Sequence, residues 1–166
     1  MSYWEGKDKV CVWVRNRFPI NSSILDVGAC NGFWHYLLPE YKNMDAIEAF
    51  RPNYNDLKEK NLYRNIWYED IRSFQYDWYD IIIFGDIIEH MSPEEAKKVL
   101  DYAYPRCTDM IISVPFLYKQ GAEYGNPYEV HIQDDLTPEL FEERYPGYEV
   151  LCRPRDDYCY YHKRWE

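Results

Sequence analysis

The sequence contains no long apolar segment. None of its hydrophobic runs approaches the roughly 18 uninterrupted apolar residues that a membrane-spanning helix requires. The N-terminal stretch MSYWEGKDK also lacks the apolar centre of a secretory signal. These absences argue against a membrane protein and predict a cytoplasmic location.

Positive charge is scarce. The chain has 19 Lys and Arg against 29 Asp and Glu, which gives a formal net charge of -10 at pH 7. Proteins that bind nucleic acid gain most of their affinity by neutralising phosphates with Lys and Arg. The charge balance therefore disfavours a nucleic-acid partner and favours a small molecule, a glycan or a protein.

The cysteines lack the pattern of a disulfide framework or a zinc site. The chain has 5 of them, an odd number, and no two form a CxxC pair. We therefore predict reduced thiols that contribute to packing. The alternative left open is a pair formed by Cys152 and Cys159 across a C-terminal hairpin.

Strand patterns are well represented. The 166 residues are one domain's length, so we predict a single domain spanning 1–166. It opens with an amphipathic helix within 1–19, which Pro19 ends. The most apolar strand, YDIIIFGDI, is typical of the buried middle of a parallel sheet. The five predicted strands are SILDV, NMDAIEAF, NIWYEDI, YDIIIFGDI and DMIISV.

Helical patterns separate these strands. The clearest is SPEEAKKVLDYAY, where Ser92 and Glu95 form a capping box. Residues 115–136 have no regular period, which is typical of a functional loop and suggests a substrate-side lid. A helix then begins at Thr137, and GYEVLCR and YCYYHKR form an antiparallel pair. The predicted fold is α/β: a Rossmann-like, doubly wound sheet of five parallel strands plus this pair, with helices on both faces.

Ligands of such sheets bind outside the carboxyl ends of the strands. The first strand ends in DVGACNG, where Gly28 and Gly32 allow a tight turn and close approach of the backbone to a ligand. A dinucleotide fingerprint needs glycines at relative positions one, three and six, but Cys30 and Phe33 occupy the last two. The spacing therefore disfavours nicotinamide and flavin cofactors.

The turn resembles the acidic-x-Gly-x-Gly-x-Gly motif of class I S-adenosylmethionine-dependent methyltransferases, in particular small bacterial and phage members without an assigned substrate. Asp26, Gly28 and Gly32 match the motif, and Cys30 replaces the middle glycine. A small residue is tolerated there if φ is negative and no ligand atom presses on its Cβ. We therefore predict a negative φ at Cys30, with its thiol directed away from the cofactor. The resemblance runs from Ser23 to Lys163.

The resemblance implies S-adenosylmethionine as the cofactor and gives roles to the later strand ends. Glu48 is expected to accept hydrogen bonds from both ribose hydroxyls. Asp70, with Glu69 as a possible substitute, is expected to accept a hydrogen bond from the adenine amino group. Asp86 is expected to lie near the methionine part of the cofactor. The predicted cofactor-binding set is Asp26, Gly28, Ala29, Cys30, Asn31, Gly32, Phe33, Glu48, Ala49, Phe50, Asp70, Ile71, Asp86 and Ile87.

The methyl acceptor is expected to lie against residues 115–136. In the family this segment resembles one that folds over the active site, whereas the alternative is a fixed surface loop with its tyrosines packed down. His131 is the first candidate for a general base and His90 the second, although His90 is also consistent with a satisfied interior imidazole. The predicted substrate residues are Tyr118, Tyr124, Tyr128 and Glu129.

No metal site is predicted. The histidines are scattered along the chain, at His35, His90, His131 and His162. The adjacent pair Asp134 and Asp135 is insufficient by itself for a divalent-cation cage.

The function predicted from these features is transfer of a methyl group from S-adenosylmethionine to an oxygen or nitrogen acceptor on a small molecule or glycan. Two alternatives remain. The first is a catalytically silent domain that binds S-adenosylmethionine as a scaffold. The second is an enzyme linked to NAD or a nucleotide sugar, against which the failed dinucleotide fingerprint already counts.

Overall fold

A computed structural model describes residues 4–165 and contains a seven-stranded sheet in the order β3-β2-β1-β4-β5-β7-β6. The first five strands are parallel, and β7 and β6 extend the sheet as an antiparallel pair, as predicted. The strands are β1 (Ile24–Val27), β2 (Met44–Glu48), β3 (Ile66–Tyr68), β4 (Tyr79–Gly85), β5 (Cys107–Pro115), β6 (Glu149–Arg155) and β7 (Tyr158–Arg164).

Helices cover both faces of the sheet, which confirms the doubly wound prediction. Buried side chains of α1, α2 and α3 form one core cluster, and those of α4 and α5 belong to a second. The predicted capping box of α4 is present between Ser92 and Glu95, and Thr137 caps α5. The helices are α1 (Lys7–Arg17), α2 (Phe33–Leu37), α3 (Arg51–Lys60), α4 (Pro93–Ala103) and α5 (Pro138–Arg144).

The N-terminal helix, Lys7–Arg17, lies within the predicted range 1–19. It begins at Lys7, while residues 1–3 lie outside the described part of the chain. None of the helices within residues 4–165 combines the length and the apolar character needed to cross a membrane. All of the cysteines are free thiols, including Cys152 and Cys159, whose alternative pairing is not made.

The segment 115–136 crosses the carboxyl end of the sheet and is fixed there by backbone hydrogen bonds. The amides of Ile132 and Gln133 donate to the carbonyl of Glu89, at 2.8 and 3.0 Å. The amide of Leu117 donates to the carbonyl of Leu136 at 2.9 Å. These bonds hold the loop against the residues that follow β4.

The turn after β1 shows one prediction to be wrong. Gly28 and Gly32 have φ of 68° and 81°, and Cys30 also has a positive φ, of 49°. The reason is the amide of Cys30, which points at the carboxylate of Glu48 and donates to it at 2.8 Å. The Cys30 thiol lies 3.7 Å from Nδ2 of Asn53. Cys30 thus occupies the left-handed conformation that a glycine adopts at lower cost.

Substitutions at Cys30 measure this backbone strain. We expect Cys30→Gly to be more stable than Cys30→Ala by about 1 kcal/mol, because only glycine adopts a positive φ without a Cβ penalty. Urea denaturation of both variants gives the difference. Equal stability, or a more stable alanine variant, would contradict the strain.

A buried acid lies beneath the same turn. Asp26 is 2% exposed, in the middle of the sheet, and its Oδ2 accepts a hydrogen bond from the Tyr63 hydroxyl at 2.5 Å. Burial raises the pKa of Asp26 to about 7, against the opposing effects of the Tyr63 hydrogen bond and of the Lys7 ammonium. Asp26 therefore supports the turn from below and keeps its proton to near neutral pH.

This raised pKa makes folding stability depend on pH. The folded state retains a proton on Asp26 that the unfolded chain releases near pH 3.8. The free energy of unfolding therefore falls as the pH rises from about 3.8 towards about 7. The slope reaches about 1.4 kcal/mol per pH unit for one group. We measure the free energy of unfolding by urea denaturation at several pH values in this range. In Asp26→Asn we expect it to stay level, whereas in the exposed control Asp8→Asn it should fall with pH as in the wild type. Parallel curves for Asp26→Asn and wild type would refute the assignment.

Candidate functional site

A cleft opens at the carboxyl ends of β1, β2 and β4, and the segment 115–136 forms one of its walls. Residues from all four predicted strand ends line it together with residues of that segment. The predicted residues that line the cleft are Gly28, Cys30, Glu48, Ala49, Asp70, Ile71, Asp86, Ile87, His90, Tyr118, Tyr128, Glu129 and His131.

Glu48 is a buried carboxylate in the part of the cleft next to the glycine turn. It is 6% exposed, and its two oxygens accept hydrogen bonds from the amides of Cys30 at 2.8 Å and Phe50 at 2.7 Å. Burial raises the pKa of Glu48, and the two amide bonds oppose that rise. A carboxylate has about four acceptor sites, so Glu48 retains capacity for a ligand's hydroxyls.

At the glycine turn beside Glu48, the side chain of Ile87 packs directly against the backbone of Gly28. A Cβ at Gly28 would lie 2.1 Å from Cδ1 of Ile87, so any side chain there would displace Ile87. The amides of Gly28 and Ala29 donate to the carbonyl of Ile47 at 2.9 and 3.1 Å, which ties the turn to β2. The backbone itself therefore forms this part of the wall.

Asp70 stands at the edge of the cleft as half of an ion pair. Its carboxylate accepts hydrogen bonds from the backbone amide, Nε and Nη2 of Arg72, with the bond from Nη2 at 2.6 Å. The hydrogen bonds from Arg72 hold the pKa of Asp70 below its usual range. Asp70, with its neighbour Ile71, lines the cleft, whereas its predicted substitute Glu69 does not belong to the lining.

Asp86 is fixed at the end of β4 in a left-handed conformation, with φ of 57°. Its Oδ1 accepts hydrogen bonds from the Ser113 hydroxyl at 2.9 Å and from the Tyr158 hydroxyl. Its Oδ2 is buried without a hydrogen-bond partner. Asp86 thus contributes a rigidly held carboxylate between the two halves of the cleft.

Several predicted cofactor residues support the site without lining it. Asp26 and Tyr63 lie beneath the turn, and the ring of Phe33 packs edge-on against Trp4, with the centroids 5.1 Å apart. Phe50 contributes its amide to Glu48. The predicted cofactor-binding residues outside the lining are Asp26, Ala29, Asn31, Gly32, Phe33 and Phe50.

On the other side of the cleft, the segment 115–136 contributes Tyr118, Tyr128 and Glu129. Gln120 holds Glu129 in place, since its Nε2 donates to the Glu129 backbone carbonyl at 2.9 Å and to the side chain at 3.1 Å. Tyr124, by contrast, is 89% exposed and outside the lining. The structure therefore brings all but one of the predicted substrate residues to the cleft.

His90 and His131 meet at this end of the cleft, with their ring centroids 4.8 Å apart. Nδ1 of His90 is 3.2 Å from the carbonyl oxygen of Val130, and Nδ1 of His131 is 2.7 Å from that of Tyr118. Burial lowers the pKa of both imidazoles. Both rings are therefore neutral at neutral pH, and both are anchored through one nitrogen.

Glu89 is a site residue that the sequence prediction missed. It is 1% exposed and lines the cleft, and both carboxylate oxygens are buried without a hydrogen-bond partner. Burial and the nearby charge of Asp86 raise the pKa of Glu89 well above its usual range. Its position between Asp86 and His90 in the sequence was the available signal.

Two of the histidines that are far apart in the sequence, His90 and His131, lie close together in the structure. Among the residues that the structure describes, Glu89, His90 and His131 each offer one ligating atom, and these atoms lie within 4.8 Å of one another. The reason is the loop 115–136, which returns to the turn after β4. The scatter of the histidines along the sequence is therefore no argument against a metal site.

No protein-family model matches the chain, and no curated protein matches it either. Solved structures do match. An S-adenosylmethionine-dependent methyltransferase from Clostridium acetobutylicum ATCC 824 superposes with a TM-score of 0.74 at 12% identity, over 99% of this chain and 92% of its own. DhpI in complex with SAH gives 0.71 at 12% identity, over 94% and 82%.

A third match is the plantazolicin methyltransferase BpumL in complex with SAH. It superposes with a TM-score of 0.66 at 14% identity, over 96% of this chain and 81% of its own. At such low identity the likeness concerns the fold. This chain has the class I S-adenosylmethionine-dependent methyltransferase fold.

Proposed function

We propose that the protein is a methyltransferase that uses S-adenosylmethionine to methylate an oxygen or nitrogen atom of a small molecule or glycan. The observation that carries this proposal is Glu48, a buried carboxylate in the cleft that is held by the amides of Cys30 and Phe50. Its remaining lone pairs suit a pair of ribose hydroxyls. The fold supports the same ligand.

The other strand ends fit the cofactor as well. Gly28 presents its backbone to the cleft, with Ile87 packed against it, and Ile71 offers an apolar surface for an adenine ring. Asp70 is bound by Arg72, so an adenine amino group would share that carboxylate with the guanidinium. When bound, S-adenosylmethionine supplies a methyl group on a positively charged sulfur, which is already a good leaving group.

The protein's contribution to such a transfer is chiefly placement, because a correctly oriented acceptor needs no protein nucleophile. Tyr118 and Tyr128 provide aromatic surface in the acceptor half of the cleft. His131 is the first candidate to receive the acceptor's proton and His90 the second, since burial keeps both neutral at neutral pH. The acceptor oxygen or nitrogen forms the new bond to the methyl carbon as the carbon–sulfur bond breaks. The electron pair of the broken bond remains on sulfur.

The two alternatives differ from this proposal in measurable ways. A silent scaffold would bind S-adenosylmethionine through Glu48 but form no S-adenosylhomocysteine with any acceptor. An enzyme linked to NAD or a nucleotide sugar would bind one of those ligands instead. The positions of Gly28 and Gly32 argue against the dinucleotide.

Removal of the Glu48 carboxylate tests the proposed binding mode. We expect isothermal titration calorimetry to show S-adenosylmethionine binding to the wild type and an affinity roughly 10-fold to 100-fold weaker in Glu48→Ala. The reason is that hydrogen bonds to a charged group contribute about 1.5–3 kcal/mol. The exposed Glu59 on α3 provides the matched control, Glu59→Ala, which keeps the wild-type affinity.

Thermal unfolding of Glu48→Ala shows whether the turn still folds, because the variant also loses the bond to the Cys30 amide. An unchanged affinity in a folded variant would disprove the role of Glu48. If the wild type bound NAD but not S-adenosylmethionine at millimolar concentration, the methyltransferase proposal itself would fall.

A further inference from the structure

Glu89 is a buried acid without a hydrogen-bonding partner. It lies in the 3₁₀ turn Ile88–His90, directly after β4, and both of its side-chain oxygens are shielded from solvent and unbonded. An unpaired buried carboxyl group is costly and is normally compensated by hydrogen bonds, a counter-charge or a metal. Glu89 lines the cleft, so a ligand within the cleft can supply that compensation.

The two histidines beside Glu89 are oriented by backbone carbonyls. A carbonyl oxygen only accepts hydrogen bonds, so the contacts to Val130 and Tyr118 place the ring proton of His90 and His131 on Nδ1. Nε2 of each neutral ring then keeps its lone pair. Metal-ligating histidines show this arrangement, in which the second ring nitrogen donates to a carbonyl or carboxylate.

The ligating atoms converge. Those of Glu89, His90 and His131 lie within 4.8 Å of one another. Bonds from nitrogen and oxygen to zinc are about 2.0–2.2 Å long, so small side-chain rotations bring all three onto one ion. Asp86, whose Oδ2 is also buried without a partner, adds a second carboxylate beside Glu89. A bound cation would compensate these unpaired oxygens.

We propose that Glu89, His90 and His131 bind a divalent transition-metal ion whose open coordination positions hold the hydroxyl oxygen of the methyl acceptor. This proposal rests on the methyltransferase function above and deepens it, because it identifies the acceptor as a hydroxyl group. Two imidazoles and one carboxylate suit Mn²⁺, Fe²⁺, Co²⁺, Ni²⁺ or Zn²⁺ and are unlike the all-oxygen sites of Ca²⁺ and Mg²⁺. Three protein ligands leave positions for substrate.

The ion would act on the acceptor as a Lewis acid. A hydroxyl bound to a divalent cation has a lowered pKa, so its proton passes to solvent water at neutral pH. The resulting oxygen anion attacks the methyl carbon, and the electron pair of the broken carbon–sulfur bond remains on sulfur. In this form His90 and His131 act as ligands, and neither accepts the acceptor's proton.

The test measures metal binding directly, without an acceptor. Chelator-treated protein is titrated with Co²⁺, which reports its ligands through visible absorption bands, and with Mn²⁺ and Zn²⁺ by calorimetry. We expect one ion per chain. Glu89→Gln and His131→Asn should each weaken binding by at least about 100-fold, because outer-sphere partners alone are worth about 10–100-fold. His35→Asn, outside the cleft lining, is the matched control and binds as the wild type does.

The proposal is overturned if the wild type binds no stoichiometric Co²⁺, Mn²⁺ or Zn²⁺, or if the two variants bind as tightly as the wild type. If Glu89→Gln fails to fold, His131→Asn carries the test, because His131 is only partly buried. S-adenosylmethionine affinity, measured on the same samples, separates this proposal from the previous one. Metal binding without S-adenosylmethionine binding refutes the methyltransferase function, while the reverse refutes the metal site alone.

Discussion

Parallel pairing of the central strands is the constraint on which the site depends. Val27 at the end of β1 is in register with Ile47 of β2 and Phe84 of β4. The residues that follow these three strands therefore emerge at the same edge of the sheet. Glu48 reaches the amide of Cys30 across this edge, and Asp86 follows on the other side. The glycine turn is shaped by that contact.

A second constraint assembles the half of the cleft that contains His90 and His131. The carbonyl of Glu89 accepts the amides of Ile132 and Gln133, so the segment 115–136 must pass directly over the turn after β4. His131 precedes these two residues and is thereby brought against His90. These backbone hydrogen bonds therefore determine where the two histidines lie. The two halves of the cleft then meet at Asp86.

The sequence predicts the fold well because its signals are local and strong. The isoleucine run of β4 and the capping box at Ser92 each specify an element through neighbouring residues. The conformation of Cys30 depends instead on a hydrogen bond to Glu48, 18 positions away. The residue type at position 30 does not indicate such a bond. The prediction of a negative φ at Cys30 was wrong because it considered only the local sequence.

The site, like the fold, combines features that the local sequence predicts with features that depend on tertiary contacts. Residues at strand ends could be predicted, since topology alone places Glu48, Asp70 and Asp86 at the cleft. The course of an irregular loop could not be predicted, which is why Tyr124 was expected at a site that it does not line. The proximity of His131 to Glu89 was hidden for the same reason. Loop contacts are set by tertiary hydrogen bonds, which have no periodic signature in the sequence.

The most direct measurement is a crystal structure of the protein grown with S-adenosylhomocysteine. We expect the ligand in the cleft, with both ribose hydroxyls within hydrogen-bonding distance of the Glu48 carboxylate and the sulfur directed towards His90 and His131. A ligand bound elsewhere, or a cleft left empty at saturating concentration, would contradict this expectation.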